Sequence, residues 1–227
     1  MNLAGWALVV GRDQLAAARW QLHYLARRGG PERYLVGGRQ PVLLLPGVYE
    51  PWEFLRPVGD RLNALGHPVH LVREIGYNRR AIVPTAELVA RFLIERDLRH
   101  VIIVGHSKGG LIGKQLMVTD AVADRIDRMV AINSPFSGSR LARFAPGATL
   151  RAFAPTNPLL STLARNREAN SRIVSIFSRF DPNIPEGSRL DGAVNIELPI
   201  SGHFRPLDRL VLLAAVERAI ESAQGTE

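Results

Sequence analysis

Residues 101–110 read VIIVGHSKGG: an apolar run, a serine with glycine two positions before and after it, then a helical pattern. A serine hydroxyl is a weak nucleophile until a base takes its proton and a tight turn lifts it clear of the strand. A G-x-S-x-G turn between strand and helix does this, because only small residues fit on both sides of so sharp a bend. Ser107 is therefore the candidate nucleophile. It needs an imidazole as base and a carboxylate to orient that imidazole.

His203 lies in Ser201-Gly202-His203-Phe204, between the strand pattern Val194–Leu198 and the last helical pattern. Asp181 lies in Ser178-Arg179-Phe180-Asp181-Pro182, directly after the run Ile173–Phe177. Both fall at the carboxyl ends of strands, where parallel sheets hold their sites. Other residues fit less well. His23 belongs to the N-terminal helical pattern, His67 and His70 precede or enter an early strand, and His100 stands at the wrong end of the serine strand. His106, inside the turn, reads as a packing residue. Asp191 precedes its strand, Asp208 falls within the last helical pattern, and the strand before the long loop ends in Asn133. Asp181 also reads as an ordinary turn aspartate. The oxyanion requires two backbone donors. The N–H of Lys108 and that of Val48, in Leu45-Pro46-Gly47-Val48, are the candidates, although Pro46-Gly47 is also plain turn punctuation.

The elements that must position these residues begin near residue 40. Short β-branched or leucine-rich runs at Val42–Leu45, Val69–Val72, Val101–Val104, Met129–Ile132, Ile173–Phe177 and Val194–Leu198 alternate with helical patterns at Glu53–Leu65, Thr85–Arg96, Lys108–Val118 and Leu207–Ile220. Near-continuous apolar strands separated by helices predict an α/β fold, with a mostly parallel, doubly wound sheet covered by helices on both faces. Pro84-Thr85 is expected to start the second of these helices, and Pro206 to fall in the first turn of the last. Between Asn133 and Arg172 the spacing of Pro135, Pro146, Pro155 and Pro158 predicts loops and short helices.

The chain has 227 residues, 46% hydrophobic and 22% charged, which excludes disorder and a multi-span membrane protein. It has no cysteine, so disulfides, thiol nucleophiles and thiolate metal sites are excluded. The net charge of +8 is carried by 27 arginines and 2 lysines against 21 acids. No nucleic-acid-binding motif accompanies it, and aromatics are only 7%, so nucleic acid is not an expected partner. Leu3, Trp6, Ala7 and Val10, then Leu15, Ala18, Leu22 and Leu25, form helical stripes. The apolar start is short, has no preceding basic residue and is followed by no small-residue cleavage site, so it does not read as an export signal. The expectation is a cytoplasmic protein in which residues 1–39 form a helical extension and a linker, Arg27-Arg28-Gly29-Gly30-Pro31. That helix either packs on the domain or lies on an anionic membrane surface, with Trp6 and Trp20 as anchors.

PVLLLPGVYEPWEFLRPVGDRLNALGHPVHLV, the GHSKGG turn, FDPNIP and SGHF, in that order, resemble the α/β-hydrolase superfamily, and most of all small bacterial esterases and lipases with a minimal cap. The resemblance spans residues 40 to 222. It implies an α/β-hydrolase domain over 40–227 with an eight-stranded sheet, a cap-like segment at about 134–172, and Ser107, Asp181 and His203 as a triad. The stretch from Asn133 to Ser139 is similar to the one that lines the acyl side in lipases, which makes Phe136 a candidate substrate contact; Phe144 and Phe153, in the covering segment, are two more. That segment carries Arg140, Arg143, Arg151, Arg165, Arg167 and Arg172 against one acid, Glu168. Lys108 stands where relatives often have an apolar residue. Its charge either biases the site toward anionic groups or points to solvent. The reading is a serine hydrolase of carboxylic esters, lipid-like or small, without cofactor or metal. The alternatives are an acyltransferase or thioesterase on the same triad, or a non-catalytic hydrolase-like binding module.

Overall fold

The computed structural model describes residues 3–26 and 31–221. Arg27, Arg28, Gly29 and Gly30 of the expected linker lie outside the described residues. In chain order the elements are α1 (Leu3–Ala26), β1 (Val42–Leu45), α2 (Arg56–Ala64), β2 (Val69–Leu71), α3 (Ile82–Glu95), β3 (Val101–His106), α4 (Lys108–Met117), β4 (Ile126–Ile132), α5 (Ala148–Arg151), α6 (Pro158–Arg165), α7 (Arg167–Ser171), β5 (Ile173–Phe180), β6 (Val194–Ser201) and α8 (Leu210–Glu221).

The strands form one parallel sheet in the order β2-β1-β3-β4-β5-β6. Period-two alternation sorts their side chains onto two faces. Leu43, Leu45, Ile103, Met129 and Ala131 pack with Val89 and Leu93 of α3 and Leu111 of α4. Val42, Leu44, Ile102, Val104 and Val130 pack on the other face with Val58 of α2, Val216 of α8 and Trp20 of α1. Burial on both faces explains why β1 and β3 carry no polar side chain before His106.

Three expectations are corrected. The sheet has six strands among the described residues rather than eight, because residues 31–40, ahead of β1, form a 3-10 turn and loop instead of further strands. The second core helix starts at Ile82, so Pro84 sits inside its first turn, where a missing N–H costs little. The last helical pattern divides: Arg205–Asp208, with Pro206, is a separate 3-10 turn ahead of α8.

The chain leaves β1 outward to β2 and returns to β3 on the opposite side of β1. The carboxyl ends of β1 and β3 therefore diverge into a crevice, and Leu45 is in register with Gly105. α1 lies over this edge. Its Asp13, fully buried, accepts the N–H groups of Phe204 (2.8 Å) and Arg205 (2.9 Å), and Gln21 donates to the Tyr49 carbonyl (3.1 Å).

Candidate active site

β3 runs without a break into Ser107, which holds φ 51° and ψ −118° ahead of α4. A non-glycine residue in that region costs about 1–3 kcal/mol and persists only when its surroundings enforce it. Here the Ser107 N–H donates to the Ile132 carbonyl at 2.8 Å, and the Ser107 carbonyl accepts from Gly110 at 3.1 Å. The glycines are required by space. A Cβ on Gly109 would strike the Leu45 carbonyl oxygen, and one on Gly105 would strike the backbone of Gly109. Tyr49, Asn78 and Asn133, in the loops around this serine, also hold φ between 45° and 60°, whereas Asp97 (43°) and His100 (54°) lie ahead of β3 at the opposite end.

His203 Nδ1 lies 2.6 Å from Asp181 Oδ2, and both side chains are buried. Asp181 Oδ1 accepts the N–H groups of Asn183 (2.8 Å) and Ile184 (3.2 Å), which fixes the carboxylate in its loop. Burial pulls the His203 pKa down, but the Asp181 charge and hydrogen bond, aided by Glu50 and Asp13, outweigh it and raise the pKa above its ordinary value. The charged imidazole is thus favoured, as a base that must hold a proton requires. Ser107, His203 and Val48 line one cavity of about 290 Å³, with Leu141, Leu150 and Phe153 on its apolar wall. No hydrogen bond joins Ser107 to His203 in this conformation; such bonds commonly tighten only on a bound substrate. The N–H groups of Val48 and Lys108 donate to no protein acceptor among the described residues.

Two of the three candidate substrate contacts lie elsewhere. Phe153 borders the cavity. Phe136 is core: the turn closed by its N–H to the Ser134 carbonyl sends the ring inward, where Lys114 Nζ lies 5.5 Å from its centroid. Phe144 is 79% exposed, because the 3-10 turn Arg140–Phe144 buries Ala142 instead. The Lys108 side chain takes neither expected course. It is buried and donates to the carbonyls of Asn78 (2.8 Å) and Arg80, and burial lowers its pKa to about 8. Asn78 Nδ2 in turn holds the Pro46 carbonyl at 2.7 Å.

Three residues of the site escape a linear reading. Glu50 is 2% exposed, and its Oε2 takes the Gly47 N–H (2.8 Å) and faces His106 Nδ1 (2.8 Å). His106 Nε2 donates to the His203 carbonyl at 3.1 Å, since a carbonyl can only accept. A proton must therefore lie between Glu50 and Nδ1, either as an ion pair or as a neutral pair. Asn133 Nδ2 also bonds the His203 carbonyl, at 3.0 Å, while its Oδ1 accepts from Ser178. A loop glutamate reads as solvated in sequence, so nothing local marks Glu50. Its carboxylate, His106 and His203 offer ligand atoms within 4.8 Å of one another. A metal there would have to displace the bonds that His106 makes through both ring nitrogens.

Sequence comparison with curated proteins finds no match. Structural comparison finds many. The mature lipase BlEst2 of Bacillus licheniformis is 13% identical with a TM-score of 0.65, over 80% of this chain and 92% of that one. An extracellular α/β-hydrolase from a Paenibacillus species is 18% identical with a TM-score of 0.56, over 78% and 98%. The N-formylmaleamic acid deformylase of Pseudomonas putida S16 is 17% identical with a TM-score of 0.54, over 80% and 93%. At such identities the likeness establishes the α/β-hydrolase fold and says nothing finer. A family model described as a PGAP1-like alpha/beta domain matches residues 69–185, just over half of the chain and inclusive of Ser107 and Asp181. The chain thus belongs to the PGAP1-like alpha/beta domain family, within the α/β-hydrolase superfamily.

Proposed function

We propose that this protein is a serine hydrolase that cleaves carboxylic esters through an acyl-enzyme. The observation that carries this reading is the buried 2.6 Å pair of His203 and Asp181, whose histidine borders the same cavity as a strained serine. Ser107 Oγ attacks the ester carbonyl while His203 Nε2 takes its proton. Asp181 keeps the other proton on Nδ1 and stabilises the imidazolium. The N–H groups of Val48 and Lys108 receive the oxyanion. His203 then protonates the departing alcohol, and water, activated by the same imidazole, releases the acid. The apolar wall of Leu141, Leu150 and Phe153 favours an acyl chain, and a cavity of about 290 Å³ limits its length.

The test is covalent. A fluorophosphonate probe is expected to label Ser107 alone, located by peptide mass spectrometry, and p-nitrophenyl esters of increasing chain length should be hydrolysed with an optimum set by the cavity. A probe that leaves Ser107 unmodified would reject the reading in favour of a non-catalytic module.

A further inference from the structure

The geometry points to a docking surface for an anionic lipid bilayer on the outer face of α1, separate from the catalytic cavity. α1 is apolar on two sides. Its inner side buries Trp20 against the sheet and Asp13 against the His203 loop. Its outer side carries Leu8, Leu15 and Leu22 at seven-residue spacing, exposed by 54%, 71% and 64%. That spacing places the three leucines in one stripe. Arg12 and Arg19 follow Leu8 and Leu15 by four residues and so run beside them. Exposed apolar side chains in a row mark a surface that something covers.

Charge selects what covers it. Arg12 and Arg19 form one wall of a concavity of about 350 Å³ whose opposite wall holds Arg205 and Arg209, and Asp208 is the one acid lining it. Asp208 lies 3.6 Å from Arg19 and 3.2 Å from Arg209. Arg12 and Arg205 form no ion pair among the described residues. Four guanidinium groups against one carboxylate leave a positive concavity suited to phosphate oxygens, which arginine binds through its planar fork. Beside it, the leucine stripe suits the acyl layer beneath those phosphates. A second copy of the chain fits poorly, because it would set arginines against arginines. A nucleic acid would satisfy the arginines and leave the leucines in water. The surface is also held rigidly over the catalytic loops: Asp13 binds the residues that follow His203, and Gln21 binds Tyr49, just after Val48.

Co-sedimentation of the full chain with phosphatidylcholine vesicles, with and without phosphatidylglycerol, tests the proposal. Sedimentation is expected only with phosphatidylglycerol present. It should fade as salt rises and the screening length shrinks from about 10 Å at 0.1 M to about 3 Å at 1 M. At roughly fivefold per basic side chain, Arg12→Ala with Arg19→Ala should weaken binding about 25-fold. Leu8→Ser, Leu15→Ser and Leu22→Ser together should weaken it even at low salt. Hydrolysis of a small soluble ester should be unchanged in both variants, so loss of docking and loss of catalysis are read separately. Equal binding to phosphatidylcholine alone, binding to neither vesicle, or unaltered affinity in the arginine variant would overturn the proposal. So would equally tight retention of duplex DNA, or a concentration-dependent dimer abolished by the serine substitutions.

Discussion

Glu50 Oε2 lies 2.8 Å from His106 Nδ1 and accepts the Gly47 N–H at the same distance, so one buried oxygen joins the turn that precedes Val48 to the residue that precedes Ser107. Through His106 Nε2 the connection continues to the His203 carbonyl. Glu50→Ala leaves the Gly47 N–H and His106 Nδ1 buried without a partner, at about 1–3 kcal/mol each. The expected result is a lower Tm and, on the proposed mechanism, kcat/KM for p-nitrophenyl esters reduced roughly 10–100-fold, mainly in kcat, as expected for misplaced groups that stabilise the transition state. Normal turnover in a folded Glu50→Ala protein would show that the pair does not position the site.

Ser107→Ala should abolish hydrolysis and fluorophosphonate labelling while leaving thermal unfolding within about 1 kcal/mol of the parent, since the substitution retains Cβ and the backbone strain. Residual turnover at the parental rate in a pure sample would place the nucleophile elsewhere.

Asp181→Asn should reduce kcat by about 10³–10⁴, because the imidazolium loses its partner and the tautomer its constraint. The pH profile gives a second reading. Because Asp181 raises the His203 pKa, the acid limb of kcat/KM should lie above the ordinary histidine value of about 6.5 and move down in the variant. The sign for stability follows: the pair's contribution is complete below the unfolded histidine pKa and is lost as pH rises through the folded value. A mild effect, with the acid limb unmoved, would mean that another carboxylate serves His203.

Lys114 is buried, its Nζ has no hydrogen-bond partner among the described residues, and burial lowers its pKa to about 8. The Phe136 ring, 5.5 Å from Nζ, offsets only part of the desolvation. Lys114→Met should therefore stabilise the fold at neutral pH by about 1–3 kcal/mol, seen as a higher midpoint in urea. The gain should shrink above pH 8, where the folded parent sheds the charge. A destabilised variant would show that the ammonium has a partner in solution.

All six strands could be read from β-branched or leucine-rich runs, and each run coincides with a strand core in the structure. β1 and β3, buried on both faces, have no freedom to include polar residues before His106, whereas β6, at the sheet edge, is mostly half-buried or exposed and alternates through Asn195 and Glu197. Ser107 was equally legible, since the tight turn demands glycine at Gly105 and Gly109, and those are local requirements. His203 and Asp181 followed from their places after β6 and β5. The helix starts at Ile82 and Leu210 were misread because proline is tolerated anywhere in a first turn, so it marks a start only to within a few residues.

What the linear order determined by itself is the sheet, the serine turn and the edge at which its partners stand, all consequences of period, volume and backbone sterics within a few residues. What only the tertiary structure decided is which polar groups become buried together. Glu50 and His106 are separated by 56 positions, and Asp13 and Phe204 by 191. Lys108 turns inward to two carbonyls, while Phe136 and Phe144 turn away from the cavity. A side chain's direction in a loop depends on which backbone groups from distant segments need a partner once water is excluded, and no local periodicity records that need.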